Sequence, residues 1–375
     1  MNFPEDIEKF KIIILELIKP IIPANKKTTT AVDFMFNAKR TKAGFKLPPY
    51  YIIYFLFIKL LKFKNLGRSE KTAWSIPIDY NGKLFLIEYR KMGLGLFAYD
   101  VIKEEKQAEE ILSIINKASK KAEPYFNFIA QLKVNGSNLN VNNNSWQLRD
   151  RFEFFLSEYK KLSTVLETVD DYSEEYTIKM QANWMALATI DAFFSWTEHI
   201  FIHIAILQGK LTTGKSVTDM AVSEWKSKYK LIFDISKKVE KQYYDKLVLI
   251  RQQLRNFYAH GAFGKTGEAF KFHSGTGAVP VQIISRDNVN KFSLNGPSGF
   301  KDSDAIAIIE KFISFLWEDE LLPAKIYIED SSLPLILSYS KDGTYKRAMS
   351  TVENMTTLVD GLSRVFDDAA NMDWW

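Results

Sequence analysis

Between Trp146 and His260 the apolar residues recur at helical spacing with almost no interruption. The stretch from Tyr176 to Leu207 is the most demanding part. Ile190, Phe193, Phe194, Ile200, Phe201, Ile204 and Leu207 fall on one stripe of a single long helix. A stripe of that size must be covered by other helices, so the sequence predicts a helical domain. Trp146–Thr168 predicts one partner helix, Val217–His260 one or two more, and Asp302–Leu322 a closing one. Gly261 suits the position just past a helix end. After it, AFGKTGEAFKFHSGTGAVPVQIIS is glycine-rich with strand character.

The N-terminal part has a different period. Met1 to about Gly67 reads as mainly helical, with FKIIILELIKPII ending at prolines and a second helix over Tyr50–Leu66. SIPIDY and KLFLIEYRK flank Asn81-Gly82, a strong hairpin signal, and GLGLFAYD adds a third strand. Lys103–Lys121 then reads as an amphipathic helix. The expected organisation is a small α+β domain over 1–134, an Asn-rich linker over 135–145, a helical domain over 146–322 and a C-terminal extension over 323–375. In that extension KIYIED reads as a strand and LPLILSYSKDGTYKRAMS as a hairpin turning at Asp342-Gly343, before an acidic helix. The fold class is mainly α, and 375 residues suit two or three domains.

Composition narrows the chemistry. The absence of cysteine excludes disulfides, thiolate metal sites and cysteine nucleophiles. The formal net charge of +5 permits nucleic-acid binding without announcing it. The start, MNFPEDIEKF, is acidic where a signal peptide is basic. The most apolar run, PPYYIIYFLFIKLLKF, is broken by Lys59 and Lys62 and falls short of the ~20 residues that span a bilayer. A cytoplasmic protein without a membrane partner is expected.

The run KLVLIRQQLRNFYAHGAFG carries the chemistry. Metal-independent RNA cleavage needs a base near the 2′-hydroxyl, an acid near the 5′-leaving oxygen and positive charge on the phosphorane. Histidine serves as acid or base near neutral pH, and arginine offers a permanent planar fork to phosphate oxygens. Asn256 and His260, four apart, share a helix face, so Asn256 can orient the imidazole or hold a phosphate oxygen. Arg255 lies roughly 140° from His260 on an ideal helix and must reach around.

This run, with the helices before it and the closing helix after it, resembles the HEPN superfamily over about Trp146–Leu322. Arg255, Asn256 and His260 stand at the positions of its arginine, polar residue and histidine. The resemblance implies a HEPN-type bundle and an endoribonuclease of single-stranded RNA, tRNA or mRNA among them. It implies catalytic residues Arg255, Asn256 and His260, and no cofactor or metal. Two copies would pair so that two motifs face one cleft, giving 2′,3′-cyclic phosphate and 5′-hydroxyl ends. Arg251, one turn earlier, would add a substrate-binding rim, and Glu198 is a candidate support for His260. A toxin or antiphage defence role with a regulatory partner protein is also implied. Ala262 stands where one toxin branch has a tyrosine, so control by modifying that residue is not expected.

Other readings compete. A HEPN domain can be a non-catalytic dimerisation module that binds RNA or protein. GKLTTGKS, Gly209–Ser216, matches the P-loop pattern, and AHGAFGKT, Ala259–Thr266, matches it loosely, but neither follows a convincing strand. His199 and His203 are spaced for zinc on a helix, without an evident third ligand. Asp79 with Glu88-Tyr89-Arg90 mimics the hairpin carboxylates of a metal-dependent nuclease.

Overall fold

A computed structural model describes residues 6–24, 37–254, 271–273, 280–282 and 302–372. Among the described residues the chain is mainly helical, with one five-stranded antiparallel sheet and two two-stranded ones. It divides into two compact units, Met1–Lys133 with Gly361–Trp375, and Val134–Asp360.

The first unit begins with α1, Ile7–Ile18, which buries Phe10, Ile14 and Ile18 at helical spacing. Strands β1, Ile21–Pro23, and β2, Lys39–Arg40, form the two edges of a five-stranded sheet. Between them lie β3, Thr72–Tyr80, β4, Lys83–Arg90, and β5, Gly93–Ala98, in the order β1-β3-β4-β5-β2, every pair antiparallel. The Asn81-Gly82 turn is as expected, both residues having positive φ, 53° and 79°. The Tyr50–Leu66 expectation is half met. Helix α2, Tyr50–Ile53, widens into a π-helical stretch, Tyr54–Leu60, and ends there. Helix α3, Val101–Lys121, starts at Asp100, whose carboxylate accepts the N–H groups of Ile102 and Lys103. One sheet face, with Ile76, Ile78, Phe85, Ile87 and Leu96, packs into a continuous core with these helices.

Helix α4, Glu123–Gly136, continues into the segment expected to be a linker. That segment is structured. Strand β6, Asn140–Val141, pairs with β9, Leu335–Ile336. The buried Asn143 amide donates to the carbonyls of Ile328 and Leu333. Asparagine's polarity suggests a loop, but here it satisfies backbone groups inside the unit.

The second unit is built on α5, Ser145–Leu166, and the long α6, Tyr172–Leu207. Helix α6 is apolar and long enough to cross a membrane by composition, yet 72% of its most apolar window is buried within the protein. Phe152 of α5 packs on Phe193 and Trp196. The predicted one or two helices after Val217 are three, α7, Gly214–Ala221, α8, Trp225–Ile232, and α9, Lys238–Leu254. One break forms where the Asp234 carboxylate accepts the Ser236 N–H, an Asx turn that competes with helix. Strands β7, Lys271–His273, and β8, Pro280–Gln282, pair in the glycine-rich region. Helix α10, Asp302–Leu316, closes the aromatic core by placing Phe312 against Phe193 and Phe201.

The C-terminal expectations need correction. KIYIED is no strand. Helix α11, Leu322–Lys325, with Pro323 in its first turn, passes into a π-helical stretch, Ile326–Asp330. Proline after Leu322 opens a helix rather than ending one. Beyond β9 the predicted hairpin is two helices, α12, Leu337–Lys341, and α13, Thr344–Ala348, joined through Gly343 at φ 80°. Gly343 supplies a left-handed residue just past a helix end as readily as in a hairpin, while Asp342 stays right-handed at φ −85°. The terminal helix α14, Val352–Asn371, is as expected.

Candidate functional site

Arg255, Asn256 and His260 lie outside the described residues, as does the looser P-loop match at Ala259–Thr266. What leads up to them is described. The last turn of α9 carries Arg251, whose guanidinium Nη2 donates to Glu198 Oε1 at 2.8 Å. Glu198 stands on α6, and its second oxygen accepts Lys228 Nζ of α8, also at 2.8 Å. Lys228 is the more unusual partner, with a side chain only 3% exposed. Its ammonium donates further to the Ala221 carbonyl at 3.0 Å. Burial pushes the Glu198 carboxyl up, but the hydrogen bonds and charges of Lys228 and Arg251 outweigh burial and hold it below the ordinary carboxylate range.

The cluster therefore sets two cations against one carboxylate and ties α6, α8 and α9 together. Arg251 lies over the Phe194 ring, 5.4 Å from its centroid. Its Nη1 is buried and has no hydrogen-bond partner among the described residues. Glu198, read from sequence as a support for His260, has both oxygens occupied by Lys228 and Arg251. Lys228 escaped the sequence reading. The signal was there: it shares the buried face of α8 with Trp225 and Tyr229, where a lysine needs a counter-charge.

The remaining sequence candidates resolve differently. His199 Nε2 accepts the backbone N–H of Asn144 at 3.0 Å. His203 places Nδ1 2.8 Å from the His199 carbonyl and Nε2 3.1 Å from the Asn142 carbonyl. Burial lowers the pKa of both, His199 to about 3 with His203 adding to the effect. They pin the Asn-rich segment to α6. Among the described residues no three His, Asp or Glu side chains stand where they could hold a metal ion.

The sequence match at Gly209–Ser216 lacks P-loop geometry. A helix, not a strand, runs to Leu207 before it. Lys215 is 81% exposed and pairs with Asp219, one turn on. Thr213 and Ser216 form a capping box for α7. Asp79 and Glu88 face the same side of the sheet but stand opposite Leu84 and Ser75, four residues apart, roughly 13 Å along the strand. Glu88 is buried between the Ser75 hydroxyl at 2.7 Å and Arg90 Nε at 2.6 Å. The two carboxylates cannot share one metal.

Comparison with protein-family models, with curated proteins and with solved structures returns no match for this chain.

Proposed function

We propose that the chain is a metal-independent endoribonuclease of the HEPN type, acting on single-stranded RNA as a homodimer. The reading is carried by the run Arg255–His260, which follows a helix whose last described turn holds Arg251 in a cluster with one charge more positive than negative. That excess favours an approaching phosphodiester, because interactions at a partly buried site are screened less than in water.

In this reading the 2′-hydroxyl oxygen attacks phosphorus and the bond to the 5′-oxygen breaks. One His260 imidazole takes the 2′-hydroxyl proton, and the partner copy's imidazole supplies one to the leaving oxygen. Arg255 stabilises the pentavalent phosphorane, and Asn256 orients the ring or a phosphate oxygen. The products are a 2′,3′-cyclic phosphate and a 5′-hydroxyl. Glu198 and Lys228 act one step back, by fixing the Arg251 guanidinium.

The test is cleavage of a labelled single-stranded RNA by the full chain in excess chelator, with end-group analysis. Loss of ~100-fold or more is expected in His260→Ala and in Arg255→Ala. Unchanged cutting by both variants would overturn the site, and no cutting by the parent would leave a non-catalytic module.

A further inference from the structure

The modest net charge hides a steep asymmetry. Lys39 to Lys71 contains nine lysines and arginines and one acidic residue, Glu70. The same run holds aromatic residues that a core reading would bury, yet Phe45, Tyr50 and Tyr51 are 66%, 45% and 50% exposed.

The fold gathers part of this run around the tip of the β4–β5 hairpin. Tyr50 stacks on Tyr89 of β4, ring centroids 4.3 Å apart and planes within 2°. Tyr51 meets Tyr50 edge-on at 5.7 Å. On the other side of the tip, Arg40 donates to the carbonyls of Met92, at 3.3 Å, and Leu94. The Phe45 ring covers that guanidinium at 3.8 Å. The Lys91 N–H donates to the Lys71 carbonyl at 2.9 Å, bringing a third strand end to the same place. Arg40, Lys71, Arg90 and Lys91 thus converge on one hairpin tip.

Of the acidic groups nearby, Glu70 is exposed beside Lys71, Glu88 offsets Arg90, and the others are committed elsewhere or lie at the margin. Glu88 is buried against Ser75 and Arg90. Glu105 accepts the backbone N–H groups of Lys42 and Ala43. Among the described residues Lys39, Lys42, Lys46, Lys62 and Lys64 form no ion pair. Asp367 and Asp368 border the patch one turn before Asn371, which accepts Lys91 Nζ.

We infer that this end of the first unit is a binding surface for single-stranded nucleic acid. Cations track the phosphates, and the half-exposed Tyr50 ring, already stacked on Tyr89, takes an unpaired base on its outer face. Aromatic rings held on a sheet beside a basic groove bind single strands this way, because every base has a π-face. A duplex keeps its bases stacked on each other and gains only the electrostatic part. The surface belongs to the first unit, and its assignment does not depend on whether the Arg255–His260 run cuts RNA.

The experiment is fluorescence anisotropy of a labelled single-stranded RNA with the full chain carrying His260→Ala, so that binding is read without cleavage. Tyr50→Ala should weaken binding about tenfold, and Tyr50→Trp should retain it. Each neutralised cation, as in Lys91→Gln, should flatten the slope of log affinity against log salt by ~0.7. Near-ultraviolet circular dichroism checks that the variants remain folded. If Tyr50→Ala binds like the parent, or a duplex binds as well as the single strand, the assignment fails. It fails equally if the parent ignores RNA but binds phosphatidylserine vesicles through Phe45 and Met92, which would make the patch a membrane contact. Loss of RNA cutting in His260→Ala with intact binding here leaves both assignments standing, since each is read by its own assay.

Discussion

Removing the Glu198 carboxylate leaves Lys228 buried with only the Ala221 carbonyl for company. A stranded buried cation costs about 3–5 kcal/mol, whereas replacing lysine by an apolar side chain of similar length is far milder. Glu198→Ala should therefore destabilise strongly and Lys228→Met by much less, as read from urea denaturation midpoints. Equal effects would show that the cluster is held by packing rather than charge. The pH dependence follows from signs. The Glu198 carboxyl is lowered in the folded state, so its contribution is present above its unfolded value of about 4.5 and is lost as pH falls through the folded one. His199, lowered from 6.5 to about 3, stays neutral in the fold where the unfolded chain binds a proton. His203 is lowered too. Stability should accordingly fall as pH drops below 6.5, at up to ~1.4 kcal/mol per pH unit for each histidine. His199→Gln, whose amide oxygen can still accept the Asn144 N–H, should halve that slope in thermal melts between pH 6 and 4.5. An unaltered slope would remove His199 from the account.

At the level of elements, the sequence told helix from strand wherever period and punctuation agreed. Asn81-Gly82 between alternating runs gave the hairpin, and the α6 stripe gave the central helix. It failed where one signal serves two structures. KIYIED alternates like a strand, but Tyr327 and Ile328 are both buried on a π-helical turn, so alternation carried no information there. Asp342-Gly343 marked a turn with a left-handed glycine without saying what it joined. A prediction belongs here. The Tyr345 hydroxyl accepts the Ile336 N–H at 2.8 Å and pairs with the Tyr327 hydroxyl at 2.8 Å, binding the π-helical stretch, β9 and α13 into one piece. Tyr345→Phe leaves a buried N–H unpaired, which costs about 1–3 kcal/mol. Tyr327→Phe should cost less, because it strips a donor from the Pro334 carbonyl, 2.9 Å from the Tyr327 hydroxyl, rather than an acceptor from a buried N–H, and a carbonyl tolerates that better. Melting temperatures of the two variants check the order. The candidate site was partly legible for a similar reason. Arg251 stands one turn before the motif and Glu198 on the early helix, but that the two meet directly, with Lys228 on the second carboxylate oxygen, is a tertiary fact, set by the packing of α8 and α9 on α6, and no spacing within one helix encodes it.

For the whole molecule, the proposed reaction needs two His260 imidazoles around one phosphodiester, and one chain supplies one. This makes the stoichiometry of activity a sharper test than the stoichiometry of assembly. A two-fold axis through a shared cleft puts one motif from each copy into the same site. Parent chain is mixed with an equal amount of the Arg255→Ala, His260→Ala double variant and allowed to exchange subunits. Random pairing leaves about a quarter of the dimers with two intact motifs. If the cleft is shared, total cleavage should fall to about a quarter of that of the same total amount of unmixed parent. If each chain cuts alone, half the chains remain active and cleavage falls only to about a half. The double variant should retain the single-strand affinity of the first unit, so substrate capture does not explain the difference. A result near a half, with exchange verified by differently tagged copies, would rule out the shared cleft and require a second proton-transfer group within the chain itself.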